Sequence, residues 1–241
     1  SNATIQNCNV TGEIEGNNFV GGIVGNAGKN TYILNCSFQG NVEGNLDYVG
    51  GIVGNTSSGC EVSGCFVTGK VEGLQRVGGI AGQGIGIIRN CYALADVTAR
   101  TAIAGGIAGN AYNCTIENCY YSGDVLAKNY AGGIAGVMDS TSGSSTTIEN
   151  CVSLAESVTG SNANRIVGSL YYGATLKANY AWGGTTVSGS AASDGEDLTY
   201  ENGTLSKQFS EIFGEDNSAW DFTDNGLPIL NDVGGTQFSE L

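Results

Sequence analysis

The chain of 241 residues contains no histidine. That removes the side chain most often used as a general base and as a zinc ligand, and with it the Ser-His-Asp, Cys-His and His-zinc arrangements of hydrolytic sites. Basic residues are also scarce: nine Lys and Arg stand against 23 Asp and Glu, a net charge of −14. A non-specific hold on nucleic acid or an anionic membrane needs a surplus of cations, so neither partner is expected. Proline occurs once beside 40 glycines. With 41% hydrophobic residues the glycines belong to turns between apolar strands, not to a disordered Pro/Gly/Ser tract. No apolar run reaches the eighteen or so residues of a membrane span.

The acids are unevenly placed. Residues 1–193 carry twelve Asp/Glu and eight Lys/Arg, whereas residues 194–241 carry eleven and one, so the tail alone holds −10. Residues 1–3, Ser-Asn-Ala, read as the remnant of a removed expression tag and take no part in fold reasoning. Thr4 opens almost inside a repeat, and further repeats or another domain are expected to precede it.

The cysteines reveal the repeat. Cys8, Cys36, Cys65, Cys91, Cys119 and Cys151 are 28, 29, 26, 28 and 32 residues apart, and Asn179 takes the same place after another 28. Each copy reads apolar-x-Asn-Cys, then Gly-x-Val-x-Gly, then Gly-Gly-Ile-Val/Ala-Gly. The first glycine of the pair lies 13 or 14 residues after the cysteine in the first five copies. Each unit offers three short, β-branched apolar runs separated by Gly and Asn turn signals, which reads as three strands and three turns. One unit cannot bury its own apolar face, so the copies stack. The expected fold is all-β: a right-handed parallel β-helix of about seven rungs over residues 4–188. Residues 189–241 are expected to form an acidic cap of the same domain over the open end of the core, containing a short helix at about 205–213. A leucine-rich repeat would need a Leu framework, and a WD-type propeller longer repeats, so both fit worse.

Several motifs invite a chemical reading. "VGGIVGN" lacks the Lys and the following helix of a phosphate loop. It also lacks the acid of a calcium-binding nonapeptide, since Asn26, Asn55, Gln83, Asn110 and Val137 follow its last glycine. The glycines are therefore expected to adopt positive φ or to permit close backbone approach at a corner. Asn7, Asn35, Asn90, Asn118 and Asn150, with Gly64 between them, suggest an αL corner and a buried amide ladder. The ladder cysteines read as small buried thiols, and any disulfide would involve the extra Cys60 or Cys114. No Cys-x2-Cys pair occurs, and neither a metal nor a cofactor is expected.

Alternation turns the residue after each ladder cysteine outward: Asn9, Ser37, Phe66, Tyr92, Tyr120, Val152 and Tyr180. Phe66, Tyr92, Tyr120 and Tyr180 are the candidate binding residues, an exposed aromatic stripe able to stack sugars or dock a partner. The preferred alternative is ordinary cross-rung packing, or a position under a loop. Glu13, Asn41, Lys70, Asp96, Asp124 and Glu156 share another outward column, in which Asp96 and Asp124 are the one candidate carboxylate pair. Its mixed signs read as a solvated face.

The template N-C-x-x-x-G-x-V-x-G…V-G-G-I-V-G-N resembles the GLUG-motif repeat family. Its signature is matched by "GIVG" at 22–25 and 51–54 and by "GIAG" at 79–82, 106–109 and 133–136, while "RIVG" at Arg165 departs from it. The tail "WDFTDNGLPIL" is similar to the Trp and Pro-x-Leu endings found after such repeats. The resemblance implies large secreted or surface-attached bacterial proteins with adhesin-like roles and no catalytic residues in the repeat. We therefore expect a non-catalytic, monomeric module of a larger extracellular or cell-surface protein, with a surface protein or a glycan as its partner. A polysaccharide-processing β-helix and a passive spacer are the alternatives.

Overall fold

The three apolar runs of each repeat do form strands, and their limits follow the turn residues. In the second copy these are Thr31–Leu34, Ser37–Gly44 and Val49–Gly50, and the chain then runs through Val53–Asn55 toward the next turn. The computed structural model describes residues 2–188, 195–201, 204–222 and 226–239. Equivalent strands of successive copies pair in parallel and in register, as in Asn9↔Ser37, Ser37↔Phe66, Phe66↔Tyr92 and Tyr92↔Tyr120. Among the described residues this yields two eleven-stranded sheets and one six-stranded sheet. The protein is a seven-turn parallel β-solenoid.

The corner before each cysteine is set by local backbone chemistry. Asn7, Asn35, Asn90, Asn118 and Asn150 all lie at φ between 49° and 56°, and Gly64 takes the same corner at 63°. Asn and Gly tolerate this left-handed region because a short amide or a missing side chain avoids the clash with the following carbonyl. Ala178 holds the corner in the last turn at φ 46° without that advantage. The backbone N–H of each corner donates to the next rung, as from Asn35 to Ser63 and from Asn90 to Glu117. The corner amides are not buried as expected: Asn7 is exposed and the others are half-buried. Rung-to-rung amide bonds occur instead in another column, where Asn55 Nδ2 donates to Asn26 Oδ1 at 2.9 Å.

Stacking turns each inward position into a ladder. Ile33, Val62, Ile88, Ile116 and Ile148 form one, and Cys36, Cys65, Cys91, Cys119 and Cys151 another, every member at most 1% exposed. A buried Val or Ile contributes about 1.5–3 kcal/mol relative to exposure, so a few such ladders account for much of the favourable side of folding. In the first turn the equivalent Ile5, Cys8, Val10 and Ile14 are only partly buried, with a rung on one side.

Only the start of the segment after the repeats lies over the last rung, as a cap would. Strand Glu196–Leu198 extends one sheet beside Tyr180–Trp182. From there the described chain turns back along the outer face. Lys207 meets Tyr180 of the seventh turn, Trp220 meets Tyr92 of the fourth, and Gly234 meets Ser37 of the second. The segment is thus a lateral strap, spanning roughly five 4.8 Å rung spacings. Its helix is Phe209–Phe213, shorter than the expected 205–213. The first part of the expected cap, 189–194, lies outside the described residues, as does Ser1 of the tag remnant.

Candidate functional site

The outward aromatic stripe is where the strap is laid. Phe66, Tyr92 and Tyr120 are 0% exposed and Tyr180 6%, so the expected exposed binding stripe is corrected: it is a packed seam. Rings one rung apart stack face to face, with centroids 5.0 Å apart for Phe66 and Tyr92 and 4.8 Å for Tyr92 and Tyr120. The strap supplies the other wall. Phe209 meets Tyr120 edge-on at 5.4 Å, and Trp220 lies 6.2 Å from Tyr92 and 5.7 Å from Tyr120. Together with Ile212, Phe213, Leu227 and Leu230 these form a second hydrophobic cluster, separate from the interior of the solenoid. Four aromatic rings facing water would cost several kcal/mol, which is why an apolar strap settles on them.

Polar groups along the seam are paired as burial requires. The Tyr92 hydroxyl donates to Gln237 Oε1 at 3.1 Å, and the Tyr120 hydroxyl donates to the carbonyl of Pro228 at 3.0 Å. Asn90 Oδ1 accepts from Asn217 Nδ2 at 3.1 Å and from the Trp220 indole at 3.3 Å. Burial holds the Tyr92 and Tyr120 hydroxyls protonated well above their ordinary range. Lys207 donates to the Tyr180 hydroxyl at 2.8 Å and lies over its ring at 4.9 Å.

The glycine pairs are joints. Neither Gly50 nor Gly51 has positive φ; what they need is space. A Cβ on Gly51 would sit 2.3 Å from the carbonyl oxygen of Gly79 and 2.7 Å from the Val67 side chain. The ladder thiols are structural as well. Each Sγ of Cys36, Cys65, Cys91, Cys119 and Cys151 donates to the carbonyl two residues earlier at 3.1–3.4 Å. All eight cysteines are free, Cys60 and Cys114 included.

The acids of the second column do face solvent, but they are engaged along the stack. Asp96 Oδ1 accepts from the backbone N–H of Asp124 at 3.2 Å. Asp124 Oδ1 in turn accepts from the N–H of Ser157 at 3.1 Å and from its hydroxyl at 2.7 Å. Other acids are paired with bases: Glu61 with Arg89, Glu72 with Lys70 and Arg100, Asp47 with Arg76. Lys70 and Arg100 hold the Glu72 carboxyl below its ordinary range. Among the described residues no group of three His, Cys, Asp or Glu is placed to hold a metal ion.

One concavity was not legible in the sequence. A cleft of about 330 Å³ lies between the strap and the later turns, lined by Ser122, Leu154, Glu156, Trp182, Tyr200, Leu205 and Leu227. Leu205 and Leu227 are 4% exposed and form its floor. Tyr200, at 47% exposure, and the exposed Glu156 stand at its solvent side. Of the lining residues, the sequence pattern assigns only Glu156, to the column of Asp96 and Asp124. The register corrects this, because the longer connection before it brings Ser157 to that place and shifts Glu156 one position aside. The cleft exists because the strap brings Tyr200, Leu205 and Leu227 beside residues up to 105 positions earlier, a distance that no sequence period encodes.

Fold and surface together define a parallel β-solenoid built from short glycine-rich repeats. Three tandem segments of the chain, 46–72, 73–98 and 102–126, match the GLUG motif. No curated protein sequence matches the chain. A solved structure from Bacteroides ovatus, described as a candidate immunoglobulin A1 protease, is similar in fold. Its TM-score is 0.69 at 22% identity, over 95% of this chain and 75% of that one.

Proposed function

We propose that this chain is a non-catalytic, adhesin-like GLUG-repeat module of a secreted or cell-surface bacterial protein, carrying or presenting a binding surface. The observation that supports this most is how the reactive side chains are used. The thiols donate into the core, the paired acids Asp96 and Asp124 accept from the backbone and side chain of the next rung, and histidine is absent throughout. A glycosidase needs two carboxyl groups left to the substrate, and a thiol protease needs an accessible thiolate with a base. The Bacteroides ovatus protein of similar fold is described as a candidate immunoglobulin A1 protease, so immunoglobulin A1 belongs among the substrates tested.

The test has two parts. The purified protein is incubated with plant, host and bacterial polysaccharides and with immunoglobulin A1, and new reducing ends or fragments are measured. No turnover is expected, and turnover above a boiled control would defeat the reading. Labelled protein is then applied to glycan and matrix arrays. Saturable retention supports a binding module, whereas none at any concentration favours a passive spacer.

A further inference from the structure

We propose that the cleft beneath the strap is a binding site for an alkylammonium cation carried by a partner. The inference rests on the reading of the chain as a binding module and assigns the site and chemistry of that binding. The floor and one wall are hydrocarbon, from Leu205, Leu227 and the half-buried Leu154. Two aromatic side chains join them, Trp182 and Tyr200, and among the described lining residues the carboxylate is that of Glu156. Leucine walls take up alkyl or N-methyl groups, ring faces attract a cation through their quadrupole, and a carboxylate at the solvent side completes the match. A volume of about 330 Å³ falls at the lower end of the roughly 300–1,000 Å³ of small-ligand sites.

The charge around the cleft decides the sign of the ligand. Asp124 accepts from the backbone N–H of Ser157, the residue next to Glu156, and Glu196 sits on the strand that pairs with Tyr180–Trp182. The nearby base, Lys207, is held on the Tyr180 hydroxyl. In a protein of net charge −14 this field repels phosphates and acidic sugars and draws cations. A neutral sugar would stack on a ring equally well, but its many hydroxyls need a polar rim. Among the described lining residues Leu and Trp make up four of seven, and Ser122 and Tyr200 are the two whose side chains carry a neutral hydroxyl.

Calorimetric titration of the intact protein at low ionic strength tests this with four probes: choline, its uncharged isostere 3,3-dimethyl-1-butanol, n-butylammonium and a methyl glucoside. A cation is expected to bind at least tenfold more tightly than the isostere and the glucoside. Choline ahead of n-butylammonium would identify the source as an N-methylated amine, and the reverse order a lysine-type primary amine; both uphold the site. Glu156→Gln removes the charge from an exposed position and is expected to weaken cation binding at least fivefold while leaving the melting temperature unchanged. Trp182→Leu keeps an apolar wall but removes the ring, and is expected to abolish the preference for cation over isostere. Equal affinity for choline and its isostere, saturation by the glucoside alone, unchanged cation binding in Glu156→Gln, or no heat with any probe would each overturn the proposal. An inert cleft leaves the non-catalytic reading standing, because that reading falls only to polysaccharide or immunoglobulin turnover.

Discussion

The hydroxyl of Tyr120 donates to the carbonyl of Pro228 at 3.0 Å, tying the fifth turn of the solenoid to the single proline of the chain across 108 residues. This contact lies in the middle of the seam, with Phe209 on one side of the ring and Tyr92 stacked on the other.

The seam therefore contributes to the stability of the whole protein. Tyr120→Phe removes one buried hydrogen bond and is expected to cost about 1 kcal/mol. Trp220→Ala, at a residue 4% exposed, opens a cavity against Tyr92, Tyr120 and Phe213 and is expected to cost about 3–5 kcal/mol. Urea unfolding followed by circular dichroism measures both. An unchanged midpoint for Trp220→Ala would show that the strap is stabilised without stabilising the solenoid.

The glycine corners discriminate between two causes of glycine use. Gly51→Ala drives a methyl group into the Gly79 carbonyl of the neighbouring rung and is expected to cost about 3 kcal/mol or to prevent folding. Gly28→Ala meets nothing within 4 Å at ordinary φ and is expected to be neutral or to stabilise by about 0.4–1 kcal/mol. Equal losses in thermal unfolding would contradict the close-approach explanation.

Thiol reactivity should divide the eight cysteines unevenly. Cys8, in the first turn, is half-buried, and the other seven are buried. Burial raises the Cys65 and Cys119 thiols and pushes Cys114 up to about 12, which suppresses the thiolate that reacts. In a native Ellman titration one thiol is expected to react within minutes and seven only as the protein unfolds. Rapid reaction of several thiols would show that the ladder is open to solvent.

Stability should fall on the alkaline side. Burial raises Tyr92, Tyr120 and Tyr121 above the ordinary value near 10, with Tyr92 adding to the effect on Tyr120 and Asp96 and Asp124 to that on Tyr121. The folded hydroxyls keep their protons where the unfolded ones release them. Their contribution is therefore complete below pH 10 and lost as pH rises above it, by up to about 1.4 kcal/mol per pH unit for each tyrosine. Absorbance at 295 nm should show these three of the eleven tyrosines ionising only together with loss of structure. Smooth ionisation of all eleven in a folded protein would refute it.

Much of the architecture was legible because it is local and periodic. The 26–32-residue spacing of the cysteines, the Asn or Gly before each and the inward Ile and Val two residues apart all act within one turn, and stacking only multiplies them. Alternation likewise assigned the side of Phe66, Tyr92, Tyr120 and Tyr180 correctly. That they pack across rungs or under a loop was the preferred alternative; which segment covers them lay beyond the alternation, since an outward residue faces water only if nothing else lies there. The column of acids shows the same division: Asp96 and Asp124 face outward as read, yet one oxygen of each, Oδ1, accepts from the next rung.

The sequence by itself determined the repeat unit, its corners and its core ladders, because backbone sterics and the two-residue period of a strand act between near neighbours. It took the three-dimensional packing to decide that the described residues after Leu198 run back along the flank, that the aromatic stripe is their seat, and that Ser122, Glu156, Trp182 and Tyr200 share one cleft. The physical reason is that hydrophobic attraction is non-directional. It requires an apolar strap and an apolar stripe to meet, and it is the length and turns of the intervening chain, packed in three dimensions, that select where.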